Sequence, residues 1–188
     1  MKNNWKRIVA AACIGAAVLV PVFGSSAQEE PLIGMPNPIV EYKTMPELEN
    51  VVGFRPLILP KGTFLGGKYK VEAISSISRQ MADVRYKLGG KGKLTIRSQK
   101  FDAPSSQDIS GVYTGNWKRE TISQTGVDIA KFAKDSYAAR WVVGNYSFAV
   151  IGEHMKEKDF NRLLTEVLVD HTEYFYGQED QVARGVKF

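Results

Sequence analysis

Asp108 and Asp128 are the carboxylates of this chain that fall at expected strand ends. Paired carboxylates are what glycoside hydrolysis uses, but they must face each other across a cleft, which spacing alone does not provide. As turn and cap residues the two aspartates have a simpler role. His154 and His171 are the only histidines. They flank an expected helix instead of sharing a face, and neither stands at a metal-ligand spacing. The run Gly89-Gly90-Lys91-Gly92-Lys93 has the composition of a phosphate loop. That loop needs four residues between its glycines, then Lys-Ser/Thr and a helix. Here Leu94-Thr95-Ile96 follows, which reads as a strand, so the glycines read as a hairpin turn. No Gly-x-Ser-x-Gly elbow occurs, and no Ser-Lys pair is marked out by its surroundings. The expectation is a non-enzyme with no catalytic, cofactor-binding or metal-ligating residues.

Charge carries more information. Between Lys61 and Lys100 ten bases stand against two acids, whereas between Glu153 and Asp180 eight acids stand against three bases. Strand alternation puts Lys68 and Lys70, Arg85 and Lys87, and Lys93 and Arg97 on the outward faces of successive strands. Neighbouring strands lie about 4.8 Å apart, so these six residues are candidates for one face that binds an anionic surface or polymer. The plain alternative is solvated charge that protects an exposed sheet and its edges. Nucleic acid is not an expected partner, because no stacking pattern of aromatics accompanies the bases.

The aromatics offer a second candidate surface. Trp141 alternates with Val143 and reads as core. Trp117 sits in the turn-like Thr114-Gly115-Asn116-Trp117 and is expected to be exposed. Tyr174, Phe175 and Tyr176 form an aromatic run outside the expected regular structure, which either folds back on the domain or meets a partner.

Positioning these residues requires a folded unit, and the first 27 residues do not belong to it. Lys2, Lys6 and Arg7, the apolar run Ile8–Phe23 and the small residues Gly24-Ser25-Ser26-Ala27 have the form of a secretory signal peptide. Three fates are open: cleavage, retention as an anchor, or lipidation at Cys13 behind Ala10-Ala11-Ala12. The run has 16 residues, short of the ~20 that a span usually needs, so cleavage is the expectation. Without the leader's three bases the net charge falls from +5 to +2, and the only cysteine is lost with it. Disulfide and thiol chemistry are thereby excluded from the mature domain. The expected location is extracellular or on the cell envelope.

Residues 28–43, with Pro31, Pro36 and Pro38, read as an extended linker that closes on an edge strand at Ile39–Tyr42. Thr44, Pro46 and Glu47 predict a short capped helix over 45–52, ended by Gly53. Period-two alternation predicts strands near 68–73, 82–88, 93–97, 109–113, 119–125 and 127–133, with a turn around Gly126. Gly144-Asn145 joins 137–143 to 146–151 as a hairpin. Phe160, Leu163, Leu164, Val167 and Leu168 predict an amphipathic helix over about 156–169. A polar tail is expected over 171–188. The expected fold is α+β: a single antiparallel, meander-like sheet with a short N-terminal helix and a C-terminal amphipathic helix on one face, within a domain over 44–170.

The order of parts also carries a resemblance. Asn37-Pro38-Ile39-Val40-Glu41-Tyr42, Gly53-Phe54, Val84-Arg85-Tyr86-Lys87, Leu94-Thr95-Ile96-Arg97, Asp108–Tyr113, Ala139-Arg140-Trp141 and Gly144–Phe148 stand in sequence. Over about 37–169 the chain resembles a domain-of-unknown-function family of Gram-positive bacteria. That family is found as the extracytoplasmic C-terminal domain of anti-sigma-like and sporulation-associated membrane proteins. The resemblance implies an envelope location and brings no catalytic residues. The expected function is non-catalytic binding of a protein or anionic envelope component in a sensing or sporulation-related system. The alternatives are an envelope hydrolase with carboxylate chemistry and a lipid-carrying chaperone.

Overall fold

The computed structural model describes residues 38–62, 67–103, 105 and 107–183, with side chains up to Gly177. The expected leader over 1–27 and most of the expected linker lie outside the described residues. Among the described residues no helix is long and apolar enough to cross a membrane.

Eight strands form one antiparallel sheet: β1 Ile39–Tyr42, β2 Tyr69–Ile77, β3 Met81–Leu88, β4 Lys93–Lys100, β5 Lys118–Ile122, β6 Thr125–Ala133, β7 Ser136–Val143 and β8 Tyr146–Glu153. Their order across the sheet is β1-β2-β3-β4-β8-β7-β6-β5. Two four-stranded meanders therefore meet at the centre, where β4 pairs with β8. The chain leaves β4 in the middle of the sheet and re-enters at the far edge, and the described residues 107–117 cross one face on the way.

The opposite face carries the core. Val84, Tyr86, Leu94, Ile96, Phe148, Val150, Ala139 and Trp141 alternate inward and are buried. Two layers cover them. Residues 54–60 are pinned by side chains of the sheet: the Leu57 N–H donates to Ser98 Oγ at 3.0 Å, and the Leu59 N–H donates to Tyr86 Oη at 3.1 Å. Helix α1, Met45–Val52, precedes this segment. Thr44 caps its N-terminus, and Gly53 ends it in the left-handed conformation at φ 76°.

The second layer is the C-terminal helix. It comprises α2, Glu157–Leu163, one π turn over Leu164–Leu168, and α3, Val169–Ala183. The region expected as a polar tail is thus helical to Ala183. The apolar spacing at 160, 163, 164 and 168 resumes at Val169, Thr172 and Tyr176, which are also buried. The π turn adds a residue and shifts the register of the stripe, so a strict 3.6-residue period loses it there. The Trp141 indole N–H donates to Thr172 Oγ1 at 2.9 Å, which ties α3 to β7.

Two expected elements differ. No strand occupies 109–113. Asp108 Oδ1 accepts the Ser110 N–H, Ser110 Oγ accepts the Val112 N–H, and Gly111 stands at φ 69°, so the backbone turns on its own side chains. The β5–β6 turn lies at Ser123-Gln124, leaving Gly126 inside β6. Ser123 donates to Asp170, and Glu173 accepts from the Gln124 N–H and the Thr125 hydroxyl, so α3 fixes that turn.

Candidate functional site

The face away from the core carries the charges. One cross-strand row runs through all eight strands: Glu41, Ser75, Asp83, Arg97, Ala149, Arg140, Asp128 and Arg119 stand opposite one another in succession. The acids and arginines of this row pair. Arg97 Nε lies 2.8 Å from Asp83 Oδ1, Arg119 Nη1 lies 3.2 Å from Asp128 Oδ1, and Arg140 Nε lies 3.4 Å from Asp128 Oδ2. Arg85, one row along, reaches Glu41 at 3.0 Å and Asp83 at 3.6 Å.

The described loop residues 107–117 lie on this face. Ala130, Ala138 and Ala149 point toward it and are buried, so small side chains make room for a chain above the sheet. A Cβ at Gly115 would come within 2.8 Å of the Ala130 Cβ, and one at Gly111 within 2.9 Å of Arg97 Nη1. Arg97 Nη1 donates to the Ile109 and Ser110 carbonyls, and Arg140 Nη1 donates to Asp108 Oδ2 at 2.5 Å. Burial by itself would raise the Asp108 carboxyl; hydrogen bonds from Ser110 and the Arg140 guanidinium outweigh it and hold the group below its ordinary value.

Two features of this face remain open to solvent. The first is a cleft of about 440 Å³ lined by Ser105, Gln107, Arg119, Gly126, Asp128 and Arg140. The Trp117 ring stands 4.2 Å from the Arg140 guanidinium carbon, a cation–π contact. The expected exposed aromatic is therefore half-buried against an arginine. The second is a row of Lys70, Lys87 and Lys93, directly opposite one another on β2, β3 and β4. All three are exposed, and among the described residues none makes an ion pair.

The six expected basic residues thus divide. Lys70, Lys87 and Lys93 form one row, while Arg85 and Arg97 are taken up by Glu41, Asp83 and the loop carbonyls. Lys68 stands just before β2, beside Gly92 and His154 at the β3–β4 turn. The aromatic run divides as well. Tyr176 is core, its hydroxyl donating to the Arg55 carbonyl at 2.9 Å and its ring packed on Tyr146 and Phe148. Tyr174 and Phe175 are exposed beside His171, whose ring centre lies 4.3 Å from that of Phe175. Burial, then the Arg55 charge, lowers the His171 pKa.

Arg119 and Arg140 were not among the expected site residues. Alternation along β5 and β7 is the signal that could have found them, but only the pairing of β5–β6–β7 brings them around Asp128. Among the described residues no group of three or more His, Cys, Asp or Glu is placed to hold a metal ion. No family model, curated protein or solved structure matches the chain.

Proposed function

We propose that the protein is an exported, non-catalytic domain that docks on a phosphate-rich anionic surface of the cell envelope through Lys70, Lys87 and Lys93. The row of three like charges carries this reading. Like charges directly opposite on neighbouring strands are destabilising, and this row holds three of them together; Glu153 on β8 stands opposite only the last, Lys93, and among the described residues none of the three lysines is in an ion pair. An anionic surface relieves that repulsion and gains attraction of about 1 kcal/mol per base, screened by salt. The leader-like sequence supports export, and the family resemblance fits an envelope sensing or sporulation-related system.

The rival readings have less support. A carboxylate hydrolase needs an acid with a raised pKa, whereas Asp108 is lowered and Asp128 sits between two arginines. A lipid carrier needs an apolar cavity, whereas Phe148, Phe160, Leu163, Leu164 and Leu168 fill the space between sheet and helix.

Vesicles of phosphatidylglycerol, phosphatidylcholine vesicles and soluble polyphosphate test the proposal. The mature protein is expected on the two anionic materials and not on phosphatidylcholine, with retention falling as salt rises. The triple variant Lys70→Glu, Lys87→Glu, Lys93→Glu is expected to lose it. Unchanged, salt-insensitive retention of the variant would overturn the reading.

A further inference from the structure

The cleft between β5, β6, β7 and the crossing loop holds an exposed arginine that the fold keeps in one place. The side chain of Arg119 is 71% exposed, yet it is restrained on two sides. Asp128 Oδ1 accepts from its Nη1 at 3.2 Å. Its guanidinium also fills the space that a side chain at position 126 would take. A Cβ on Gly126 would stand 2.9 Å from Arg119 Nε and Cζ, and closer still to Nη2. Gly126 is therefore a seat for a guanidinium. An unrestrained surface arginine loses rotamer freedom on binding, whereas a seated one presents its donors already in place.

The acids of the cleft do not cancel this offer. Both Asp128 oxygens are engaged, one by Arg119 and one by Arg140. Asp108 accepts from Arg140 and the Ser110 N–H. Trp117 covers a face of the Arg140 guanidinium. Among the described residues Arg119 Nε and Nη2 and Arg140 Nη2 donate to no acceptor. What remains is a set of guanidinium donors at a cleft large enough for a monosaccharide-sized ligand.

We propose that this cleft binds a small sugar-sized ligand bearing an oxyanion, carboxylate or phosphate, with Arg119 as the gripping residue and Gly126 as the residue that positions it. A guanidinium fork matches both oxyanions in a bidentate manner, which a lysine does not. The site shares no residue with the lysine row and stands without it.

The test is a titration of the isotope-labelled mature protein with D-glucuronate, D-glucose 6-phosphate and neutral D-glucose, read at the Arg119 Nε–H and Trp117 indole N–H resonances. At least one of the acids is expected to give saturable shifts at both resonances, and glucose none. Saturation by only one acid assigns the oxyanion. Gly126→Ala places its methyl against the movable end of Arg119, so the fold is expected to keep its melting temperature while affinity drops at least tenfold. Arg119→Lys, at an exposed position, is expected to show the same loss and keeps the test open should the glycine variant misfold. No saturable shift with either acid, equal shifts with glucose, or wild-type affinity in Arg119→Lys would overturn the proposal.

Discussion

Arg97 Nε donates to Asp83 Oδ1 at 2.8 Å, and the two residues stand directly opposite each other on β3 and β4. The same guanidinium continues through Nη1 to the Ile109 and Ser110 carbonyls. One side chain therefore joins the centre of the sheet to the loop that crosses it. The Asp83 side chain is only 7% exposed, and Arg97 is the nearer of the two arginines that face it. Arg97→Met keeps the length of the side chain and removes the donors. It is expected to lower the unfolding free energy by about 1–3 kcal/mol, since the buried aspartate loses its closest charged donor and keeps only Arg85, at 3.6 Å. Hydrogen exchange is expected to speed up in the loop around Ser110 as well as in β3. A loss below ~0.5 kcal/mol in urea denaturation would show that the loop is held by other contacts.

The second anchor of that loop depends on pH. The Asp108 carboxyl is lowered in the folded state, so its contribution to stability is complete above the ordinary carboxylate value and is lost as pH falls through the folded one. Acid should therefore release the loop from Arg140. Urea denaturation of wild type and Asp108→Asn between pH 6 and pH 2.5 is expected to show a stability gap that closes toward the acid end. A gap that stays constant with pH would assign the effect of the variant to something other than charge.

At the alkaline end Tyr86 takes the equivalent part. Burial is the main cause of a pKa pushed up to about 12 from 10.0, against the Leu59 N–H that favours the phenolate. A group raised in the folded state supports stability fully below its unfolded pKa and loses that support as pH rises through the folded value. Stability is expected to decline between about pH 10 and 12 through this residue. Ultraviolet titration should show a late-titrating component that shrinks by one tyrosine in Tyr86→Phe. The same variant leaves the Leu59 N–H without an acceptor in the core and is expected to cost ~1–3 kcal/mol at neutral pH.

The C-terminal helix illustrates which parts of the fold the chain announces. Thr44, Pro46, Glu47 and Gly53 mark α1 locally, and Gly144-Asn145 marks the β7–β8 hairpin, because caps and turns are set by the residues that form them. Asp108–Tyr113 alternates like a strand, yet its aspartate and serine hydrogen-bond within the loop, and it lies across the sheet instead of inside it. The lysine row was legible from alternation, whereas the ladder from Glu41 to Arg119 depends on β4 pairing with β8, a choice made by the whole sheet. Tyr176 was unreadable for a related reason: the π turn carries the apolar stripe past the point where a regular helix would lose it. Tyr176→Ala is therefore expected to cost ~3–5 kcal/mol as a core truncation. Tyr174→Ala, on the exposed side two residues away, is expected to stay within ~0.5 kcal/mol. Equal effects in thermal denaturation would contradict this division of the aromatic run.

Lys87 stands between Lys70 and Lys93 in the cross-strand row and thus feels two like charges at once. If the row is kept for binding, it opposes folding. Lys87→Glu turns two repulsive pairs into attractive ones and is expected to raise stability by ~0.5 kcal/mol in low salt. High salt should erase that gain, since all three residues are exposed and screened. The same variant is expected to weaken retention on phosphatidylglycerol vesicles. Opposite signs on stability and retention are the signature of charges held together for a partner, because charges placed only for solubility would give no loss of retention when one is reversed. A Lys87→Glu protein that is less stable than wild type in low salt would mean that the row is not under electrostatic strain.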